Sequence, residues 1–267
     1  MIKAMIRGMI RRMTKRTAKT ILRTTTATAV VAVLTAATVW AARADNDQLA
    51  QSDKAFAGRD NTETLRQAAA LAEAAATRDP ANYEAHWRVA RSRYYLADRE
   101  QDKAKKGKLL DAGIAAAKRA IELNDKRVEG HFWLAANTGD LADIKGALSS
   151  LGLVKTIRKE FEAALSIDPL YHDGAAYNAL GQLDLNLPRL FGGNERRGIE
   201  TLETGLKAAP KNAELKVALA EIYAKKGRKA EARSLLESVL SDTDPALSAA
   251  ELRDERTKAQ RALDKLN

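Results

Sequence analysis

The sequence predicts an all-α fold built as a stacked array of helix pairs, an α-solenoid. Three observations carry that prediction. Alanine-rich helical runs end three times on Asp-Pro (Asp79-Pro80, Asp168-Pro169, Asp244-Pro245) and once on Ala209-Pro210, and proline cannot continue the helix before it. The 35 residues between Pro210 and Pro245 hold two helical patterns, and a period of that length marks units that bury their apolar faces on one another. The chain is 45% hydrophobic and 30% charged but only 5% aromatic, a balance rich in Ala, Leu, Glu, Lys and Arg that favours helix.

Residues 1–44 stand apart from the array. They hold nine of the 45 Lys and Arg and none of the 35 Asp and Glu, so the net charge of +10 falls to +1 without them. A basic balance confined to a leader makes no nucleic-acid face, and no nucleic-acid partner is expected. Lys3, Arg7, Arg11, Arg12, Lys15, Arg16, Lys19 and Arg23 precede 19 uncharged residues, Thr24 to Ala42, and then Ala42-Arg43-Ala44. Basic start, apolar middle and small-residue cleavage site are the parts of an export signal. The alternative is an uncleaved anchor over residues 24–42, since about 20 residues cross a bilayer. Six Thr and seven Ala among the 19 leave the stretch weakly apolar and favour cleavage. Arg11-Arg12 suggests the twin-arginine route, but Thr14 and Lys15 stand where apolar residues are expected, so the export route stays open. The bulk of the chain is expected in a bacterial periplasm, touching membrane only through the leader if that is retained. The absence of cysteine excludes disulfides, thiolate metal sites and thiol nucleophiles.

After the leader, residues 45–60 read as a polar linker or partial helix, and residues 61–267 as the repeat domain. The helix from about Thr62 to Thr77 presents Ala68, Ala72 and Ala75 before Pro80, the pattern of the second helix of a pair. Its first helix, if present, must come from the poorly patterned residues 46–58. Val89-Ala90 pairs with Gly113, Ala117 and Ala120, and Asp125 fills the proline slot. Leu134-Ala135 pairs with Ile157, Phe161 and Ala164. Tyr177, Leu180 and Gly181 pair with Gly198, Leu202 and Gly205. Leu219-Ala220 and Tyr223 pair, across Gly227, with Ala232, Leu236 and Val239. This makes about four pairs. Successive stops lie 45, 44, 41 and 35 residues apart, and the excess is assigned to elongated loops within the pairs, near 97–108, 139–152 and 187–194. The charged run Arg99 to Lys108 accordingly reads as a solvated loop. Ser248-x-x-Glu251 is a capping box, and Leu252, Ala259, Leu263 and Leu266 form the single apolar stripe of a capping helix.

At residues 213–240, and less strictly at 128–210, this alternation of large and small residues resembles the tetratricopeptide repeat (TPR). Phe161 to Gly174, Ala179-Leu180-Gly181 and Leu187-Pro188 through Phe191-Gly192-Gly193-Asn194 further resemble the T-component family of tripartite (TRAP) solute transporters. That resemblance implies a scaffold that holds a periplasmic solute-binding protein, with an apolar or organic-acid solute as small ligand. Members are commonly lipid-anchored through a cysteine, which this chain lacks.

In a TPR stack the first helix of each pair lines the inner surface. The inward set is then Glu84, Trp87, Arg91, Tyr94, Glu129, Phe132, Asn178, Gln182, Val217 and Glu221. Trp87, Arg91, Tyr94, Phe132, Asn178, Gln182 and Glu221 are the candidate partner- or ligand-binding residues, although packing between repeats is favoured over binding for Trp87 and Phe132. The set lacks the Lys and Asn arrangement that clamps a peptide carboxylate. Leu190 and Phe191, beside a glycine pair and the helix cap Asn194, are the loop candidates. His86, His131 and His172 recur on neighbouring units, but no ligand-like carboxylate spacing accompanies them, so packing is favoured over metal. No metal-protease His pair, nucleophile elbow or phosphate loop occurs. The expectation is a scaffold, not an enzyme, with no cofactor or metal. Its alternative to a transport role is a general TPR adaptor that organises an envelope complex.

Overall fold

The computed structural model describes residues 47–244 and 247–266, apart from the side chains of 147–149. The leader readings and Pro245 lie outside the described residues. Every regular element described is helix. The pairs are α1 (47–57) with α2 (Thr62–Arg78), α3 (Tyr83–Arg99) with α4 (Lys103–Leu123), α5 (Val128–Lys145) with α6 (Ala147–Ile167), α7 (Ala175–Asn186) with α8 (Glu195–Ala208), and α9 (Ala213–Lys225) with α10 (Lys229–Ser241). A final helix, α11 (Ala249–Leu266), packs on α10 and α9. Helix packs against the next helix along the array, as an α-solenoid requires.

The proline stops act as the sequence suggests. Asp79, Asp168 and Ala209 each end a helix one residue before proline, in non-helical backbone. Starts are set by side-chain caps: Asn61, Asn82, Asp102, Asn194 and Asn212 each accept from backbone N–H groups of the first turn. The capping box of α11 closes reciprocally, with Ser248 N donating to Glu251 Oε2 at 2.7 Å and Glu251 N to Ser248 Oγ at 3.3 Å.

The pair count and the place of the extra residues differ from expectation. Of the two readings of residues 45–60 the helical one holds at 47–57, so α2 has a partner and there are five pairs, not about four, among the described residues. The face of α1 that packs on α2 is Leu49, Ser52 and Phe56, all buried, and its middle member is polar, which is why the pattern is faint. The Ser52 hydroxyl is satisfied by donating to the Ala68 carbonyl at 2.7 Å. The extra residues of the early units lengthen helices rather than loops. The α4 and α6 helices run to 21 residues each, against 13 for α10, and the α5–α6 connection is Gly146 alone. Lys103 to Lys108 are helical, begun by the Asp102 cap, so that charged run is only partly loop. Residues 187–194 do form a long connection, containing a 3₁₀ turn at Arg189–Phe191.

The two largest apolar cores among the described residues follow one another in sequence order. Phe132, Trp133, Phe161 and Leu180 centre the first, between α3 and α7, and Leu202, Leu215, Leu219, Leu236 and Leu263 the second, between α8 and α11. Close approach of α4 to α5 depends on Gly113, where a Cβ would lie 2.1 Å from Asn137 Oδ1. Asn137 uses the space to donate to the Ala90 and Trp133 carbonyls, at 3.2 and 2.7 Å. His131 is a packing residue with both ring nitrogens engaged, by Glu160 at 2.6 Å and the Asp125 carbonyl at 2.9 Å. No cluster of three metal-ligating side chains occurs among the described residues, and none of their helices is long and apolar enough to cross a membrane.

Candidate functional site

The inner helices α3, α5 and α7, with α6 and the start of α9, surround a cavity of about 600 Å³. Helical spacing decides what reaches it. On α5 the lining positions Phe132, Ala136, Gly139, Asp140 and Asp143 follow one face, and on α7 the face is Ala175, Asn178, Ala179, Gln182 and Leu183. From α6 come Leu151, Val154, Ile157 and Phe161, and from α3 the adjacent Tyr94 and Tyr95. Small residues on α5 and α7 keep the space open. At Gly139 an added Cβ would meet nothing within 4 Å.

The wall is aromatic on one side. Tyr94 and Tyr95 each lie against Trp133, with ring centroids 5.6 and 6.0 Å apart. Phe132 carries the His172 ring stacked parallel at 5.3 Å. Trp133 donates from Nε1 to the Tyr171 hydroxyl at 3.1 Å. His172 and Asp173 hold φ of 50° and 53°, in the left-handed region that non-glycine residues seldom occupy. The turn they form aims His172 back over α5. Burial, reinforced by Arg91 and Arg59, lowers the His172 pKa to about 4, so the ring is neutral at pH 7. Burial raises the pKa of Tyr94, and that of Tyr95 to about 12.

The charged lining is acidic. Asp140, Asp143, Glu214 and Asp244 reach the cavity and, among the described residues, no Lys or Arg does. Burial raises the Asp140 pKa to about 6, against the opposing charge of Lys106, whose Nζ lies 3.8 Å away. Burial likewise raises Glu214, with Glu255 adding to the shift and the hydrogen bond from Asn178 opposing it. Asp244 caps α9, accepting from Ala213 N at 2.9 Å.

Of the residues the sequence singled out, Tyr94, Phe132, Asn178, Gln182 and Phe191 line this one cavity. Phe191 sits at its edge, next to Leu190, which is 86% exposed. The turn beneath them requires Gly193, where a Cβ would fall 1.8 Å from the Leu187 carbonyl oxygen. The other candidates lie elsewhere. Trp87 is buried, donating to Glu84 at 2.8 Å, with the Arg88 and Arg91 guanidinium groups 4.2 and 4.8 Å from its ring. Arg91 pairs with Asp53 on α1 at 2.7 Å. Glu84 and Glu129 share Arg127, Val217 belongs to the second core, and Glu221 is exposed. Sequence reasoning missed Tyr95, Trp133, Asp140, His172 and Glu214. The pairs Tyr94-Tyr95 and Phe132-Trp133 carried the signal for two of them, because an inner face about 100° wide takes neighbouring residues as well.

Comparison with known proteins bears on the fold and the family. A tetratricopeptide repeat family model matches residues 193–253. A thermophilic TPR protein of Thermus thermophilus superimposes with a TM-score of 0.60 at 20% identity, covering 82% of this chain and 98% of its own. The pilF protein of Pseudomonas aeruginosa gives 0.52 at 14% identity, covering 83% and 92%. Both likenesses are of fold. The fold is thus that of TPR repeat proteins, with the repeat itself matched over α8 to α10. The T-component resemblance finds no support in these matches, and its Phe161 to Gly174 segment falls inside a region matched by another family. That family's model, described as regulator of microtubule dynamics protein 1-3, matches residues 48–186. The regulator of microtubule dynamics protein 1 of Homo sapiens, and that of Pongo abelii, are 30% identical over 84 residues, 31% of this chain. The match spans only 27% of those relatives' length. With more than half its length, α1 to α7, matched by that family's model, the chain belongs to the regulator of microtubule dynamics protein 1-3 family.

Proposed function

We propose that this chain is a non-catalytic TPR scaffold that takes an apolar segment of a partner protein into the cavity between α3, α5, α6 and α7. The observation that carries the proposal is the cavity itself: about 600 Å³, walled by Tyr94, Phe132, Trp133 and Phe161, with exposed Leu190 beside it. Concave, mostly apolar pockets with a few convergent polar groups are the usual form of a binding site. An apolar helix or strand laid in a groove is a recurrent mode of peptide capture.

Gly139→Trp fills the cavity from a helical position with open space beyond it, and Glu221→Lys changes an exposed residue away from it. Partner capture by the full chain, read by mass spectrometry, is expected to survive Glu221→Lys and to be lost with Gly139→Trp. Equal recovery with Gly139→Trp overturns the reading. The identity of the captured protein separates finer readings. A solute-binding protein would support the exported, TRAP-type role that the leader and the T-component resemblance suggest. Tubulin would extend to this chain what the name of its relatives says of them. An envelope-assembly protein would support the general adaptor. Export is tested separately by fractionation: periplasmic protein shortened by about residues 1–44 supports a cleaved signal, and full-length cytoplasmic protein contradicts it.

A further inference from the structure

Glu214 and Asn178 leave two hydrogen-bond acceptors side by side in the cavity wall. Asn178 Nδ2 donates to Glu214 Oε2 at 3.2 Å. The Asn178 Oδ1 atom is buried and has no donor. Among the described residues no basic group lies within 4 Å of the Glu214 carboxylate; Lys258, which acts on it from farther off, is itself paired with Glu255. A half-buried carboxylate with a single amide donor, and a buried amide oxygen with none, each cost free energy until a further donor arrives. Across the same space stand the aromatic rings of Tyr94, Tyr95 and Trp133, surfaces that attract cations. The charged lining is acidic throughout, and of those carboxylates Asp140 has only Lys106, at 3.8 Å.

We infer that the cavity receives a basic side chain, the ammonium or guanidinium of a Lys or Arg flanked by apolar residues in the partner's segment, seated on Glu214 and Asn178 Oδ1. The inference rests on the cavity being the binding site and adds the charge of what enters it. It disfavours an anionic occupant, since no Lys or Arg lines the cavity among the described residues. One donor group satisfies both acceptors at once, while the apolar neighbours rest on Phe132 and Phe161.

The test uses three small probes of equal length with the full chain: hexylamine, hexanol and hexanoate, titrated while the Trp133 indole N–H is followed by NMR. Trp133→Phe assigns that signal. Hexylamine is expected to bind at least about tenfold more tightly than hexanol, with hexanoate weakest, and Glu214→Gln is expected to abolish the preference. Equal binding of hexylamine and hexanol overturns the inference and leaves the apolar site standing. Tightest binding by hexanoate also overturns it, and returns the site to the organic-acid class. Failure of all three to move Trp133 removes the cavity as a binding site, and both readings with it. If Glu214→Gln does not fold, the ranking of the three probes on the unaltered chain still decides.

Discussion

Arg59, in the turn after α1, donates two hydrogen bonds to Glu251 in the first turn of α11, Nε to Oε1 at 3.2 Å and Nη2 to Oε2 at 2.8 Å, across 192 residues of sequence. Its neighbour Asp60 accepts from the Ser248 hydroxyl at 2.5 Å and from Ala250 N at 3.2 Å. The first and last turns of the repeat domain are therefore tied together. The Arg59 guanidinium also lies 5.6 Å from the Tyr95 ring, so the tie abuts the cavity wall. Both partners are mostly buried, at 13% and 26% side-chain exposure, which places the pair above a surface ion pair in worth. Arg59→Ala is expected to cost about 1–3 kcal/mol. It should also raise amide exchange in α11 more than in α5. Unchanged exchange in α11 would contradict the tie.

Asp173 is expected to be a stabilising site. Its φ of 53° is left-handed, its Oδ2 is buried with no hydrogen-bond partner, and burial raises its pKa, with Asp244 adding to the shift. Its backbone carbonyl, which accepts from Asn212 Nδ2 at 2.8 Å, is independent of the side chain. Asp173→Gly removes the strain and the orphaned carboxylate. It should raise stability by about 1 kcal/mol in denaturant melts at pH 7. A loss instead would mean the carboxylate has a partner in solution.

Asp184 should behave in the opposite way. Its side chain is 1% exposed and is held by Arg158 Nη2 at 2.5 Å and by Arg197 Nε at 2.6 Å. Although burial opposes it, hydrogen bonds from the two arginines keep its pKa below the usual carboxylate value. Asp184→Ala leaves both cations without their counter-charge and should cost about 2–4 kcal/mol. The triple change that also replaces Arg158 and Arg197 by Met should recover part of the loss.

Acid should expose two opposing buried groups. His172, lowered from 6.5 to about 4, contributes stability that is present above pH 6.5 and lost as pH falls toward 4, because the unfolded chain binds the proton first. Asp140, raised from 3.8 to about 6, does the reverse: the folded chain takes up the proton first, so stability is gained as pH falls from about 6 to 3.8. His172→Asn should remove the first trend, and Asp140→Asn should stabilise at pH 7 by about 1–2 kcal/mol, a gain that shrinks below pH 6. Melts from pH 4 to 8 check both signs. Parallel curves for the two variants would contradict them.

The sequence and the structure agree where local chemistry sets the outcome. The stops at Pro80, Pro169 and Pro210, the Ser248–Glu251 box and the Asn194 cap act within a few residues, so their patterns are visible in one dimension. Helix α1 escaped because Ser52, polar in sequence, is buried by a bond to the Ala68 carbonyl. The lengthened α4 and α6 escaped because nothing local distinguishes a charged first turn from a loop until a cap such as Asp102 is weighed. At the site, Tyr94, Phe132, Asn178 and Gln182 followed from inner-face spacing. Asp140 lies on the face of Phe132, two turns on, and was equally reachable by that spacing. His172 was not reachable by spacing. Its place depends on two consecutive left-handed residues that no pattern in Tyr171-His172-Asp173-Gly174 demands.

Partner entry into the cavity is read directly by site-specific photo-crosslinking in the cell, with benzoylphenylalanine at Gln182, on the cavity wall, and at Glu237, exposed on α10. A discrete protein adduct is expected from position 182 that disappears with Gly139→Trp, and none from 237. An adduct from 237 that withstands Gly139→Trp, with none from 182, would place the partner on the outer surface and contradict the cavity as the binding site.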